Sequence, residues 1–223
     1  MLVSAAVPAA MTKDVWWVYL LGVLISSGVL TGAFAAVSRF LASLRRRRGV
    51  KELGRTFAAQ AELNSALNDV RAVMGACRAS ILKSTNGGGI PSPGKQLYTS
   101  VVYESYSNDG DSTRDLWQNM PVDAPYSQLL SDLYEKKAVN MRTDLMHPGD
   151  LKSLYRSTGV EMATVRKIGC SDRAMYYLSL NYKRARELAD GEMITLRAAV
   201  AHMARLFEQS KEIYEYDFGA PKD

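Results

Sequence analysis

The sequence predicts an α+β protein with an antiparallel sheet flanked by helices, preceded by one transmembrane helix and a linking helix. Residues 15–38 carry no charge, which predicts the transmembrane helix. The rest mixes helical patterns with segments rich in Val, Thr and Tyr, which are typical of strands. Strands and long helices do not alternate regularly, so the order favours an antiparallel sheet with helices packed mainly on one face.

The N-terminal apolar segment predicts a membrane anchor. A bilayer core requires about 20 apolar residues as a helix, and aromatic residues favour its interfaces. Arginines after the segment favour the cytoplasmic side, so we expect the N-terminus outside and the remaining chain in the cytoplasm, at an inner or plasma membrane. We divide this region into a short segment 1–14, a transmembrane helix 15–44 and a basic joint 45–54. The expected interface residues are Trp16, Trp17, Arg45, Arg46, Arg47 and Arg48.

A cleaved signal peptide is the alternative, because Ala33–Ala35 resembles a cleavage site. However, the apolar stretch exceeds the roughly 7–15 residues of a signal peptide, and the arginines resemble a stop-transfer signal. A buried soluble helix is a third interpretation. Within the segment, Gly28 and Gly32 are four residues apart, a spacing that lets two membrane helices approach closely.

Composition excludes several function classes. The net charge of +5 comes mostly from residues 13–51, so we expect no specific nucleic-acid surface on the remaining chain. Two cysteines, Cys77 and Cys170, have neither metal-ligand nor disulfide-framework spacing. With only two histidines and no recognisable catalytic set, we expect a protein that is not an enzyme.

The elements after the anchor follow from local patterns. A helix without proline links the anchor to the domain, and Gly- and Pro-rich segments separate the first strands. The expected order is strand 77–84, strand 96–106, helix 123–137, strand 138–144, short helix 147–159, strands 160–169 and 173–184, and helix 190–216.

The segment 165–207, VRKIGCSDRAMYYLSLNYKRARELADGEMITLRAAVAHMARLF, resembles the last two strands and terminal helix of a GAF domain. We expect Asp190 or Gly191 to cap this helix, with Glu192 in its first turn. The resemblance covers residues 55–212, leaving a tail at 213–223. It implies a sensory or dimerisation module, often with a small molecule bound between the sheet and the helices opposite the terminal ones.

The resemblance does not identify a ligand or a cofactor. NMRTD, at 140–144, matches only part of the pattern of cyclic-nucleotide-binding GAF domains. Cys170 and His147 do not have the spacing of a recognisable bilin pocket. We expect a pocket formed by the strands and by residues 138–154. The residues predicted to line it are Tyr103, Trp117, Met141, Asp144, Tyr155 and Tyr177.

The terminal helix carries an apolar stripe with alternating spacings of three and four residues. This pattern predicts a coiled-coil-like contact between two copies of the chain. Packing of the helix on its own sheet produces a similar stripe and is the alternative. The predicted dimer-contact residues are Met193, Leu196, Val200, Met203 and Phe207, together with Gly28 and Gly32.

These features predict a single-pass membrane protein with a cytoplasmic GAF-like domain that serves as a small-molecule sensor or protein-interaction module. Its expected partners are the lipid membrane, a second copy, a small-molecule ligand and an effector protein. One alternative is a scaffold at the membrane, for example one of viral origin, that dimerises and binds no ligand. A lysis or pore protein is another.

Overall fold

The computed structural model describes Trp16, Gly22, residues 53–86, Ser92, and residues 94–108, 111–210 and 213. The chain divides between Arg55 and Thr56 into two units, and all strands described below belong to the second. Trp16 and Gly22 are helical. The remaining residues of the predicted transmembrane helix, with Trp17, the two glycines and the four arginines, lie outside the described residues. Within the described ranges, no helix is both long and apolar enough to cross a membrane.

Helices and strands occur in the order expected, with shifted ends and two additions. A short strand and a 3-10 turn were not predicted. The elements are α1 (53–73), β1 (Arg78–Thr85), β2 (Tyr98–Tyr106), β3 (Met120–Pro121), α2 (Ala124–Lys136), β4 (Ala138–Arg142), a 3-10 turn (Thr143–Leu145), α3 (Asp150–Ser157), β5 (Met162–Cys170), β6 (Ala174–Tyr182) and α4 (Asp190–Gln209).

The six strands form one sheet in the order β3-β2-β1-β6-β5-β4. All neighbouring strands are antiparallel, which confirms the predicted class of sheet. Irregularities in register occur at Ile81/Leu82 in β1 and between Lys167 and Gly169 in β5. The strands β3 and β4 form the two edges of the sheet.

Helices cover both faces of the sheet, so the expectation that they would pack mainly on one face is wrong. Ile81 belongs to a core with α1 and α4, whereas the next residue, Leu82, belongs to a second core with α2 and α3. The strand β1 is accordingly buried along most of its length. Strands buried on both faces lack the polar–apolar alternation that would have revealed this arrangement.

The apolar stripe of α4 contacts its own sheet. Leu196, Val200, Met203 and Phe207 are all buried in the core that α4 shares with α1 and the strands. The ring of Phe207 lies 4.8 Å from that of Tyr176 on β6. These four side chains are therefore not available to a second copy, and they do not support the predicted dimer seam.

The helix α4 begins at Asp190, as expected, but its N-cap is Ala189. Neither Asp190 nor Gly191 is therefore the cap, and the alanine at the cap position makes no side-chain hydrogen bond to the helix. The backbone N–H of Ala189 donates to Glu192 Oε2 at 2.9 Å, so this N–H at the start of the helix has a hydrogen-bond partner. This bond and Arg186 lower the pKa of Glu192.

Asp123 caps two helices at once. Its Oδ1 accepts the backbone N–H of Tyr126 in α2 at 2.9 Å, and its Oδ2 accepts the N–H of Asp150 in α3 at 2.8 Å. A Cβ atom at Gly149 would lie 2.5 Å from Asp123 Oδ2. The short helix α3 begins at Asp150, within the expected range 147–159, and its first N–H donates to this carboxylate.

We expect Gly149→Ala to lower the free energy of unfolding by about 1–2 kcal/mol, since the added methyl displaces the shared cap. The matched control is Gly191→Ala, whose Cβ would meet nothing within 4 Å. In a helix this control is expected to be neutral or to stabilise by up to about 1 kcal/mol. Urea denaturation of both variants would measure the difference, and equal responses would contradict the role of the shared cap.

Candidate functional site

The space between the sheet and helices α2 and α3 is filled by aromatic side chains. Trp117, Tyr126, Tyr155 and Tyr177 are all buried there. The Trp117 ring lies 6.2 Å from that of Tyr126 and 6.3 Å from that of Tyr155. The remaining void has a volume of about 10 Å³, far below the roughly 300–1,000 Å³ of ordinary ligand pockets.

A chain of buried hydroxyl groups joins this aromatic cluster to the sheet. The hydroxyl groups of Tyr126 and Tyr177 are 2.6 Å apart, and Ser84 Oγ lies 3.1 Å from Tyr177 and 2.7 Å from Thr99 Oγ1. Burial raises the pKa of Tyr126 and of Tyr177. The neutral phenols thus serve as structural hydrogen-bond partners.

We expect the protein to lose stability between about pH 10 and 12. Burial raises the pKa of Tyr155 from 10.0 to about 12. A group whose pKa is higher in the folded state than in the unfolded state contributes its full stabilisation below the unfolded-state pKa. This contribution is lost as the pH rises through the folded-state pKa. Denaturation midpoints measured across this range would decline in wild type and decline less in Tyr155→Phe. Identical pH profiles would contradict the assignment.

A large groove lies over the edge strand β4. Its volume is about 1,130 Å³, slightly above the usual range for ligand pockets. Parts of α2, β4 and α3, the segments that precede α3 and α4, and single residues of β5 and α4 form its walls. The lining residues are Asp123, Pro125, Tyr126, Gln128, Leu129, Asp132, Val139, Asn140, Met141, Arg142, Leu145, Met146, His147, Gly149, Leu151, Lys152, Met162, Ala185, Arg186, Glu187, Leu188 and Met193.

One wall of the groove is mainly apolar. Leu129 from α2, with Val139 and Met141 from β4, packs on the buried core of that face. Met146 also packs there, and its backbone carbonyl accepts a hydrogen bond from Lys152 Nζ. Methionine side chains adapt to different shapes, so this wall suits an apolar group of variable outline.

The other wall is richer in charge. Arg142 Nη2 lies 2.9 Å from Asp144 Oδ2, and this contact lowers the pKa of Asp144. Arg186 is paired with Glu192, and its guanidinium lies 5.2 Å from the centre of the Tyr182 ring. The groove thus brings apolar surface and ordered guanidinium groups together.

The structure separates the six residues predicted to bind a ligand. Trp117, Tyr155 and Tyr177 line the small interior void, whereas Met141 lines the groove. Asp144 is exposed beside it, paired with Arg142. Tyr103 lies on the opposite face of the sheet, with its ring 6.5 Å from that of Phe207. These positions do not form one pocket.

Several groove residues were not predicted as ligand contacts. Leu129 was not singled out within the predicted helix 123–137, and Met193 was assigned to a dimer contact. Both lie in the groove because β4 is at the edge of the sheet. The sequence of β4 alternates apolar Val139 and Met141 with polar Asn140 and Arg142, and this alternation is a local signal that could have indicated a strand with one exposed face.

The cysteines and histidines show no sign of a metal or thiol site. Cys77 donates from Sγ to the carbonyl of Asn181 at 3.2 Å, and Cys170 is half-buried. His147 lines the groove, but neither cysteine is among the residues lining it. Across the described residues, no group of three or more His, Cys, Asp or Glu could hold a metal ion.

A second, smaller groove of about 350 Å³ lies between α1 and α4. Its floor contains Ala66, Ala198 and Ala199. His202 Nε2 lies 3.3 Å from Glu62 Oε1 across it. This outer surface is distinct from the buried stripe of α4, and its small side chains permit close approach of another helix.

The fold matches solved GAF domains. The chain is 12% identical to the PixJ GAF domain of Thermosynechococcus elongatus in its blue-light-absorbing form, covering 72% of this chain and 90% of that one with a TM-score of 0.53. It is 13% identical to a far-red cyanobacteriochrome photoreceptor, covering 76% of this chain and 98% of that one with a TM-score of 0.52. No protein-family model and no curated protein matches. At such low identity the likeness shows the fold alone: the chain has a GAF-like fold.

Proposed function

We propose that this protein is a regulatory binding module and not an enzyme, and that it binds its small-molecule ligand or protein partner in the groove over β4. The observation that carries this proposal is the contrast between the two spaces. The interior between the sheet and α2/α3 is closed by aromatic rings to about 10 Å³, whereas the groove offers about 1,130 Å³.

The GAF-like fold supports a sensory role, because the similar solved structures are photoreceptor domains. One similar structure contains biliverdin. A bulky ligand of that kind would have to displace Trp117 and its neighbours to occupy the interior here. The groove can accept a ligand or a peptide without that loss of packing.

The uncharged N-terminal segment supports tethering of the module to an inner or plasma membrane, with the domain in the cytoplasm. Val15–Ser38 is long enough for a transmembrane helix and is followed by Arg45–Arg48. Protease protection of the full chain in inverted and right-side-out vesicles would test this topology. Digestion of the domain only in inverted vesicles is expected, and the reverse pattern would contradict it.

Methyl-labelled methionines provide a direct test of the site in the full chain in detergent. Met141, Met146 and Met193 contact the groove, Met120 lies in the interior core, and Met203 lies in the core beneath α4. A fragment library, a cyclic nucleotide, biliverdin and haem would be added separately. We expect a binding compound to shift the groove methyls and leave Met203 unchanged.

The matched variants are Met141→Arg and Leu116→Arg. Leu116 is 59% exposed and lies outside the groove, so its change controls for added charge. Binding is expected to disappear only in Met141→Arg. Shifts concentrated on Met120, with binding that survives Met141→Arg, would move the site to the interior and overturn the proposal.

A dimerising scaffold is the second candidate, and the surface between α1 and α4 favours it. Ala66, Ala198 and Ala199 form a path along which a second helix pair can pack closely. Ala199→Glu is expected to convert a dimer of the full chain into a monomer in analytical ultracentrifugation. A wild-type monomer at every concentration would exclude this candidate.

A further inference from the structure

The outer side of β4 presents a row of unpaired backbone groups. The N–H of Thr143 donates to the carbonyl of Glu161 at 2.9 Å, and the N–H of Lys167 donates to the carbonyl of Lys137 at 3.0 Å. Together with the register, these bonds show which residues of β4 bond to β5. In an antiparallel ladder alternate residues face the partner strand. The N–H and C=O groups of Ala138, Asn140 and Arg142 therefore point away from β5, and no described residue bonds to them.

The groove extends along both sides of this open edge. Val139 and Met141 face the apolar wall, while Asn140 and Arg142 face the α4 side. A strand added beside β4 would place successive side chains alternately on these two walls. The shape and the backbone pattern thus match an extended segment.

Arg166 adds a charge requirement on the α4 side. Arg166 is only 5% exposed, and no carboxylate in the described part of the chain pairs with it. Nη1 donates to Val165 O at 2.9 Å and to Asn140 Oδ1 at 3.1 Å, and Nη2 is covered by Met193 Sδ at 3.5 Å. Burial lowers the pKa of Arg166 to about 10, so the group remains charged at neutral pH.

An unpaired buried charge is destabilising unless something compensates it. Asn140 and Met193, which contact the guanidinium, both line the groove. The flexible Met193 side chain can move aside to expose Nη2. The guanidinium already extends from β5 to the side chain of Asn140 on β4, so a carboxylate on a strand beside β4 has to cross the one further strand spacing, about 4.8 Å.

We propose that β4 is the docking edge for an extended peptide segment of a partner protein, whose side chains alternate between apolar and acidic residues. The segment adds a seventh strand to the sheet, its apolar residues contact Leu129, Met141 and Met146, and an acidic residue pairs with Arg166. This inference deepens the proposed function and depends on it, because it assigns the occupant of the same groove.

The row of backbone groups favours a peptide over a small anion. A phosphate or carboxylate ion could reach Arg166 but would leave the amides of Ala138, Asn140 and Arg142 unpaired. Strand addition satisfies the backbone row and the guanidinium together, with main-chain bonds for affinity and the two walls for specificity.

Two substitutions of one residue test strand addition in the full chain. The probe is a synthetic fluorescent peptide of alternating valine and glutamate, measured by polarisation. Asn140→Pro removes the outward N–H at a position where an edge strand tolerates proline, and Asn140→Ala removes only the side chain. We expect Asn140→Pro to bind at least about tenfold more weakly than Asn140→Ala, the effect of losing one or two main-chain bonds. Equal affinities would overturn strand addition.

Hydrogen exchange of the wild-type chain provides a test that does not depend on a variant. The amides of Ala138, Asn140 and Arg142 should exchange rapidly alone and become protected with the peptide. Protection elsewhere but not at these three amides would contradict the proposal. Competition by free citrate as effective as by the peptide would also overturn it, in favour of a small-anion site.

Arg166→Met tests the acidic requirement. We expect this variant to bind the valine–glutamate peptide about tenfold more weakly, as for loss of a charge-assisted bond, and to bind a valine–glutamine peptide as wild type does. Equal loss for both peptides would contradict the pairing.

If neither peptide binds while small compounds still shift the groove methyls, this inference fails and the proposed function stands. If the groove methyls also remain unchanged, both fail.

Discussion

Trp117→Ala is expected to lower the free energy of unfolding by about 3–5 kcal/mol, the usual range for truncating a buried tryptophan. Trp117 is 4% exposed and lies between the rings of Tyr126 and Tyr155. Truncation leaves a cavity that this rigid aromatic cluster cannot fill by small movements. The destabilisation combines the transfer free energy of the missing indole with the van der Waals attraction that the surrounding side chains no longer gain from it.

Urea denaturation followed by far-ultraviolet circular dichroism measures this change without relying on tryptophan fluorescence. Leu116→Ala is the matched control, because Leu116 is adjacent in sequence and 59% exposed. The control should change stability by less than about 0.5 kcal/mol. A Trp117→Ala loss below about 1 kcal/mol would show that the interior is loosely packed and able to open, contrary to the closed interior described above.

The same variant separates the two spaces functionally. The cavity that it creates borders Tyr126, which also lines the groove. A groove ligand should still shift Met141 and Met193 in Trp117→Ala, at conditions where the variant is folded. Tighter binding with shifts moved to Met120 would instead indicate that the natural ligand enters the interior.

Local patterns in the sequence were sufficient for most of the fold. Segments with strand-forming residues, bounded by turn residues, located β1, β2, β5 and β6 within a few residues, because strand propensity and turn chemistry are local properties. The two-residue strand β3 depends on pairing of Met120 with Thr99. A partner distant in sequence leaves no local signal.

The site was harder to predict, because its residues are brought together by topology. The sequence offered aromatic residues as ligand contacts, but aromatic side chains also fill cores, and Trp117, Tyr155 and Tyr177 do so here. The groove depends on the position of β4 at the end of the sheet order. The same limit applies to α4, where a heptad-like stripe satisfies a sheet as readily as a second helix.

Two buried arginines illustrate how context assigns a role to a charge. Arg78 and Arg166 are 3% and 5% exposed. Arg78 is neutralised within the chain by Glu104, whereas Arg166 contacts carbonyl oxygens and a thioether. Burying a charge costs desolvation free energy, and replacing buried ionic groups with apolar side chains of similar volume is often neutral or stabilising. Arg166→Met is therefore expected to change the free energy of unfolding by less than about 1 kcal/mol, while Arg78→Met should behave differently.

Arg78→Met is expected to lower the free energy of unfolding by about 3–5 kcal/mol, because it leaves the buried carboxylate of Glu104 without a counter-charge. Arg78 Nε lies 3.5 Å from Glu104 Oε1, and Nη2 donates to the Asp111 carbonyl at 2.8 Å. Glu104 also accepts hydrogen bonds from the backbone and side chain of Thr113 at 2.9 Å. The pair thus fastens the segment after β2 to the sheet.

A double-mutant cycle isolates the charge pairing from these hydrogen bonds. Glu104→Gln keeps an acceptor for Thr113 but removes the charge, so Arg78→Met/Glu104→Gln should recover at least about 1 kcal/mol relative to Arg78→Met alone. Added salt should not restore the stability of Arg78→Met in the same way, since buried charges are poorly screened. If the losses in the free energy of unfolding from the two single substitutions simply add in the double variant, Arg78 acts through its hydrogen bonds to Asp111 alone. The difference between Arg78 and Arg166 would then be one of hydrogen bonding and not of charge.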